Sequence, residues 1–329
     1  MAGVAWPAGV RAAVARAASR LPPSRACFGY GSGVLAQSGN TPGMLDLVFV
    51  VDDAEAWHAE NLRRNARHYS WAGKCGAGAV AALQRCGAGV YFNSLVPIDD
   101  ADEGEHDAPR LPWNAMKYGV VETERCLADL TNWDHLYVAG RLHKPVLLVS
   151  PDGDAAFLKA QQRNVDAALA AALLLLPRSF DEPQLYAAVA ALSYDGDVRF
   201  ALGAEDPAKV QNLVLPQLPR FRALYAPGLA AAAAAGVVDG AFDQAQTFDQ
   251  AQTQAARRWL IDRLPPALAA AADAAPNAAA ALRAALAATV RRSSISQTLK
   301  GLTTAGPSRA AAYALAKLRK GALRRLAQR

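Results

Sequence analysis

The sequence predicts an α+β protein, on three observations. Apolar runs of strand length, Leu45–Val51 and Val146–Val149, are separated by helical stretches. A glycine-rich turn, Gly29-Tyr30-Gly31-Ser32-Gly33, stands ahead of the first run. Past residue 151 the pattern turns almost wholly helical. At 329 residues the chain can hold two domains and a sizeable core.

Residues 1–25 are rich in Ala and Arg, contain no acid and break at Pro22-Pro23. That composition fits a mitochondrial or plastid transit peptide; a disordered alanine-rich start is the alternative. Residues 26–151 carry the strand and helix alternation, with a helix over Asp53 to Tyr69 and a turn into a strand over Gly87–Phe92. Gly119-Val120-Val121 reads as a shorter strand, and the six acids between Asp99 and Asp107 read as a solvated loop. A mostly helical second domain follows over 152–225, with helices at Asp154–Leu176, Asp181–Leu192 and Asp206–Leu218. Residues 226–290 form an alanine-rich low-complexity insert, in which the hexad Phe242–Thr247 recurs at once as Phe248–Thr253. Two copies are too few for a solenoid, so no chemistry is assigned to them. Residues 291–329 end in a basic amphipathic helix. Leu315, Leu318 and Leu326 lie on one face, and Lys317, Lys320 and Arg324 on the other. Such a helix can lie on an anionic membrane surface, and the rival is a terminal helix packed on its own domain.

The net charge of +6 conceals an asymmetry. Between residues 26 and 273 there are 20 basic and 29 acidic residues, and the excess of positive charge lies in the two ends. A nucleic-acid binder would carry its basic charge across the folded body, so no nucleic-acid partner is expected. Four cysteines without CxxC or zinc spacing point to reduced thiols in a matrix or cytosolic compartment.

The chemistry-bearing feature is the glycine turn followed by Asp46 inside an apolar strand. Glycines let backbone N–H groups approach an anion, and a carboxylate buried in a strand is costly without a metal or other partner. The spacing is GxGxG rather than GxGxxG, no convincing strand precedes it, and no Gly-Lys-Ser/Thr of a P-loop follows. The alternative is the polymerase-β-like nucleotidyltransferase signature, a Gly-Ser turn and then a strand of acidic metal ligands. Gly31-Ser32 and Asp46 match it, but Val48 occupies the usual place of a second carboxylate. A buried structural aspartate remains the competing reading.

Further motifs occur in order: Trp57-His58…Asn61…His68-Tyr69-Ser70, Gly87-Ala88-Gly89-Val90-Tyr91-Phe92-Asn93, Lys117-Tyr118-Gly119-Val120-Val121, Tyr137-Val138-Ala139-Gly140-Arg141-Leu142-His143-Lys144-Pro145, Ala191-Leu192-Ser193-Tyr194-Asp195-Gly196-Asp197 and Lys300-Gly301-Leu302-Thr303-Thr304. In this order they resemble the mitochondrial translocator assembly and maintenance family, the matrix-side phosphatidate cytidylyltransferases. The resemblance covers roughly 26–225 and 291–318 and fails across the alanine-rich insert. It implies an Mg²⁺-dependent enzyme at the inner mitochondrial membrane, making CDP-diacylglycerol and pyrophosphate from CTP and phosphatidic acid and feeding phosphatidylglycerol and cardiolipin synthesis. It also implies a polymerase-β-like nucleotidyltransferase domain, a winged-helix-like second domain and a membrane-associating C-terminal segment. The expected rivals are a non-catalytic inner-membrane assembly factor and a nucleotidyltransferase acting on a protein or another small molecule.

The nucleophile in such a reaction is a phosphate monoester, with a second pKa of about 6, so no general base is required. Positioning and charge neutralisation suffice. Tyr30, Gly31 and Ser32 are accordingly expected at the CTP phosphates and Asp46 at Mg²⁺. Lys117 is expected at the triphosphate or the phosphatidate headgroup. Arg141 and Lys144, placed near the end of a strand, are further CTP ligands. Asp197 supplies the missing carboxylate, or else belongs to a structural turn at Gly196. His58 and His68 lack metal-ligand spacing, Tyr69-Ser70 either contacts the nucleoside or packs, and Trp113 and Trp133 read as core or rim.

Overall fold

The protein is described by a computed structural model covering residues 6–35, 44–98, 113–150, 155–198, 209–239 and 247–305. It divides into two units, a sheet unit and a helical unit. The sheet unit takes Trp6–Cys126, residues 146–150 and residues 296–305, and the helical unit takes Leu127–Pro145 and Ala155–Ile295. The divide therefore departs from the sequence boundary at 151, because residues 127–145 pack with the helices rather than with the strands that flank them.

Five strands build the sheet: β1 (Ala26–Tyr30), β2 (Met44–Val51), β3 (Val90–Pro97), β4 (Ala115–Glu122) and β5 (Leu147–Ser150), in the order β3-β4-β2-β1-β5. The β2–β4 pair is parallel and the other pairs are antiparallel. Strand β1 does precede the glycine turn. Its five residues and internal Gly29 hide it from periodicity, yet Cys27 and Phe28 are buried. Strand β4 is longer than the three residues legible in the sequence, so Lys117 lies inside it.

Alternation along β2 and β4 gives the sheet two chemically different faces. One carries Phe49 and Tyr118, which pack against Trp57 on α2 (Ala54–Asn65), with the Phe49 and Trp57 rings 5.7 Å apart. Asp53 caps this helix by accepting from Ala56 N at 3.0 Å. Helices α3 (Trp71–Lys74) and α4 (Ala77–Arg85) continue the layer, where Ala72 and Val80 join Tyr69 and Tyr91 in one buried cluster.

The chain's beginning joins this body. Helix α1 (Ala8–Ser19) buries Val14 and Ala17, Leu21 is buried beyond it, and Trp57 Nε1 donates to Pro22 O. The described part of this segment is thus ordered, against the alternative of a disordered start to a transit peptide: the small apolar face of an Ala/Arg segment suffices to pack.

In the helical unit, α5 (Thr123–Asn132) and the short α6 (Ala139–Leu142) lead to α7 (Ala155–Leu175), buried along most of its length and ended ahead of Pro177. Helices α8 (Glu182–Ala191), α9 (Lys209–Val214) and α10 (Leu218–Ala234) follow. Asp181 and Gln184 close a reciprocal capping box on α8. Tyr186 stacks on Phe221 at 5.2 Å. A three-stranded antiparallel sheet, β6 (Ser179–Asp181), β8 (Thr247–Gln250) and β7 (Val238–Asp239) in that order, completes the unit with α11 (Gln254–Ile261), α12 (Pro266–Ala274) and α13 (Ala278–Ala305) as far as Ile295.

The described part of the alanine-rich region is folded, an order that its composition leaves open. Phe248, in the second hexad, is buried and stacks on Phe180. Gln250 Nε2 donates to Leu176 O and Pro177 O, satisfying carbonyls at the end of α7. The first hexad lies outside the described residues except for Thr247, as do Lys317, Lys320 and Arg324. Among the described residues no helix is long and apolar enough to cross a membrane.

Candidate active site

The sheet face opposite Trp57 gathers three of the expected residues, and Gly31 and Ser32 follow in the adjoining turn. Tyr30 ends β1 and is the Cα partner of Asp46, which is in turn the partner of Lys117 across β2 and β4. All three side chains are half-buried on one face. Directly after Tyr30 the chain makes a single 3₁₀ turn, Gly31–Gly33, with φ of +70° at Gly31. A Cβ on Gly31 would lie 3.5 Å from Asp46 Oδ2, so the carboxylate faces the glycine turn. At Gly33 a Cβ would stand 2.4 Å from Met44 O, which only glycine tolerates. Trp113 Nε1 donates to Gly33 O at 2.8 Å and pins the turn from its other side. The sequence position of Val48, buried at 1 %, leaves Asp46 as the strand's own carboxylate on this face.

Behind the face runs a buried polar network. Tyr118 OH accepts from Asn61 Nδ2 and Asn93 Nδ2, at 2.8 and 2.9 Å, and bonds His68 Nδ1 at 3.0 Å. His58 bonds Tyr69 OH through Nδ1 and Gln84 Oε1 through Nε2, both at 2.8 Å. Desolvation lowers both histidines to about 4 from the ordinary 6.5, so each is a neutral ring. The histidines and Tyr69 are therefore core hydrogen-bonding groups under the sheet, not nucleoside or metal contacts. Among the described residues no cluster of three or more His, Cys, Asp or Glu side chains could hold a metal by itself.

Arg141, Lys144 and Asp197 fall in the helical unit. Arg141 lies on α6 with its guanidinium 4.0 Å from the Tyr137 ring centre, and Lys144 follows α6 in the turn that leads into β5, so Lys144 is near the end of a strand as expected and Arg141 is on a helix. Two of the sequence motifs meet here. Lys144 Nζ donates to Ser193 Oγ at 2.8 Å and lies 4.6 Å from the Tyr194 ring centre. A Cβ on Gly140 would be 2.4 Å from that of Ser193, so the two segments touch. Asp197 is 4 % exposed, in a turn where Gly196 at φ +90° presses on Ala287 of α13.

The loop ahead of Arg141 is organised by a residue with no role in the sequence reading. Asp129 receives five backbone N–H bonds, from His135, Leu136, Tyr137, Val138 and Ala139, at 2.8–3.1 Å. The residues Trp133 and Leu136 adopt left-handed φ of 56° and 51° within this loop. Trp133 Nε1 and His143 Nε2 both bond Asn164 Oδ1. Burial takes His143 down to about 3. Phe92, Gly119, Ser193, Tyr194 and Asp129 were missed as site or supporting residues; all but Asp129 lie in the ordered motifs.

Residues 15–275 and 268–320 match the family described as phosphatidate cytidylyltransferase, mitochondrial. The match runs through the alanine-rich region, which corrects the expectation that the resemblance fails there. The chain is similar to mitochondrial phosphatidate cytidylyltransferases of Bos taurus (38 % identity, 89 % of each chain), Xenopus laevis (39 %, 89 % of each) and Drosophila melanogaster (46 %, 61 % of this chain and 60 % of the fly protein).

Proposed function

The chain belongs to the mitochondrial phosphatidate cytidylyltransferase family, and from that premise we propose that it joins CTP to phosphatidic acid to give CDP-diacylglycerol and pyrophosphate. The observation that carries this reading in the structure is the in-register pair Asp46 and Lys117 beside the Gly31–Gly33 turn. A phosphate monoester oxygen of phosphatidate forms the new bond to the α-phosphorus of CTP, and the bond from that phosphorus to the bridging oxygen breaks, releasing pyrophosphate. The attacking oxygen is largely ionised at neutral pH. The protein's task is therefore to align two anions and offset their repulsion.

Each side chain has a part in that task. The Gly31–Ser32 backbone cradles phosphate oxygens, with Tyr30 at its edge. Lys117 supplies a positive charge from the neighbouring strand. Arg141 and Lys144 are further anion-binding candidates from the helical unit. Asp46 suits Mg²⁺, a hard cation commonly bound by one or two carboxylates together with substrate phosphates; its Oδ2 faces Gly31, whose missing side chain keeps the glycine turn compatible with that use. Bound there, the cation would neutralise phosphate charge. Asp197 is the candidate second carboxylate. The sheet unit corresponds in this reading to a polymerase-β-like nucleotidyltransferase domain, and the helical unit to a winged-helix-like one.

Its place of work is the matrix side of the inner mitochondrial membrane, for which the relatives' mitochondrial names and the basic sequence 308–329 are the support. The product there would enter phosphatidylglycerol and cardiolipin synthesis.

The test supplies the protein with labelled CTP, phosphatidic-acid vesicles and Mg²⁺. Labelled CDP-diacylglycerol is expected, lost on chelation and in Asp46→Ala, with vesicle binding retained. Absence of any lipid nucleotide across metals and lipids would leave the assembly-factor reading, and transfer to a protein or soluble acceptor instead would leave the third. An Asp197→Asn variant that needs more Mg²⁺ for half-maximal rate marks a metal ligand; one that only melts earlier marks a structural turn.

A further inference from the structure

We propose that Phe92 is a positioning residue for Lys117, its ring serving as the surface on which the ammonium is held over the sheet face that also carries Asp46. The inference rests on the functional reading of Lys117 above. Lys117 Nζ lies 4.4 Å from the centre of the Phe92 ring, well inside the range at which a cation is attracted to the ring face. The ring is itself fixed. Phe92 and Gly119 are Cα partners across β3 and β4, and a Cβ on Gly119 would come within 2.7 Å of Phe92 Cε1 and 3.0 Å of Val90 Cγ1. No positive φ explains this glycine. Its function is space, letting an aromatic ring lie down on the strand.

Lys117 precedes Gly119 by two residues and so shares its face. The ring bridges the two positions, with Gly119 beneath it and Nζ over it. That arrangement leaves the ring unsuited to stacking a nucleobase, and it restricts a side chain with four freely rotating bonds. An ammonium already placed loses less entropy when it meets a phosphate. Flanking residues show why the ring stays put. Tyr91 and Asn93 point to the opposite face, where Asn93 joins the Tyr118 network, and the β3–β4 register shifts between Asn93 and Val96 with Leu95 at φ +57°. The strand thus cannot slide at Phe92 without breaking that network.

The experiment is a cycle in the full-length protein, read as kcat/KM for CTP on phosphatidic-acid vesicles. Phe92→Leu is expected to lose about tenfold, and Phe92→Tyr, which keeps a ring face, to recover most of that loss. In a Lys117→Met background, adding Phe92→Leu should cost nothing more. An undiminished tenfold loss in that background, or full activity of Phe92→Leu, overturns the proposal. Gly119→Ala displaces the ring while keeping both partners and should reproduce the loss, which covers a Phe92→Leu chain that fails to fold. A wild-type protein without activity would sink the functional reading instead. The positioning claim is then decided by NMR of ¹³C-methylated lysines, with Lys117 assigned through Lys117→Arg. Its methyl signals should be shifted upfield by the ring and return to the ordinary position in Phe92→Leu; signals unmoved by the substitution overturn it.

Discussion

Asp46 and Lys117 are Cα partners on adjacent parallel strands, so a carboxylate and an ammonium leave the same face of the sheet at the end occupied by the glycine turn. The opposite face of those strands is locked by Phe49 and Tyr118 against Trp57. A one-residue slip would exchange the faces, burying the charges and exposing the rings, so the packing behind the site holds its register.

This separation of labour predicts a separation of phenotypes. Asp46→Asn and Lys117→Met should each reduce turnover by about a hundredfold or more, the size seen when a preorganised charge is removed. Because both residues are only half-buried, unfolding in urea should change by less than about 1 kcal/mol. Labelled-CTP turnover and urea melts on the same preparations check the two halves together.

Asp129 gives the converse expectation, a large effect without any contact to substrate. Its two oxygens accept five backbone N–H bonds and hold a loop with two left-handed non-glycine residues. Asn keeps the shape but turns an amide N–H₂ toward N–H donors. Asp129→Asn should destabilise the helical unit by about 3 kcal/mol, as expected for lost charge-assisted bonds and released strain. Thermal unfolding measures it, and Asp129→Glu should not rescue, since the longer stem misplaces the carboxylate.

The parts of the fold legible in the sequence are those with local signals. The Asp46 strand shows as an apolar run, α7 as a long helix stopped by Pro177, and Gly31-Ser32 as a turn. Pairings between distant segments had no such signal. Nothing near Lys117 reveals that it aligns with Asp46 some seventy residues earlier, and nothing near Lys144 reveals Ser193. Composition misled where alanine dominates: Leu260, Leu268, Leu282 and Leu286 are spaced anchors, and the alanines between them allow close helix packing without the contrast that periodicity needs. Phe92 was visible as a motif member, but its role depends on the missing side chain of Gly119 on another strand.

The buried histidines set a pH dependence. His58 and His68 titrate at about 4 and His143 at about 3 in the folded protein, against 6.5 ordinarily, because burial disfavours their charged forms. Between pH 6.5 and 4 the unfolded chain therefore takes up protons that the folded chain refuses. Stability is complete above that window and falls as pH drops through it, by roughly 3 kcal/mol per histidine. Melting temperatures from pH 7.5 to 4.5 should show the decline. His58→Gln should begin less stable and lose less over the same range; an unchanged slope would deny His58 its share.

Lys300 lies in the part of α13 that belongs to the sheet unit, and within that unit it ties the helix to the turn ahead of β3. Its Nζ donates to Gln84 O and Val90 O, both at 3.0 Å, and to Cys86 O, closing the turn between α4 and β3. Two of these carbonyls come from the end of α4, where positive charge is also favoured by the helix dipole. Ser296 lies against Gly87 in the same turn, a position with φ of +58° and no room for a Cβ. Lys300→Met keeps the aliphatic stem and removes the three bonds, so it should cost about 2–3 kcal/mol, with desolvated carbonyls left behind. Hydrogen exchange should quicken first at Gly87–Val90, next to Phe92, before any global change. Lys300→Arg should rescue poorly, because a planar fork does not converge on three carbonyls as an ammonium does. Rescue by Arg would mean that charge at the end of α4, rather than the three-way bonding, is what the position supplies.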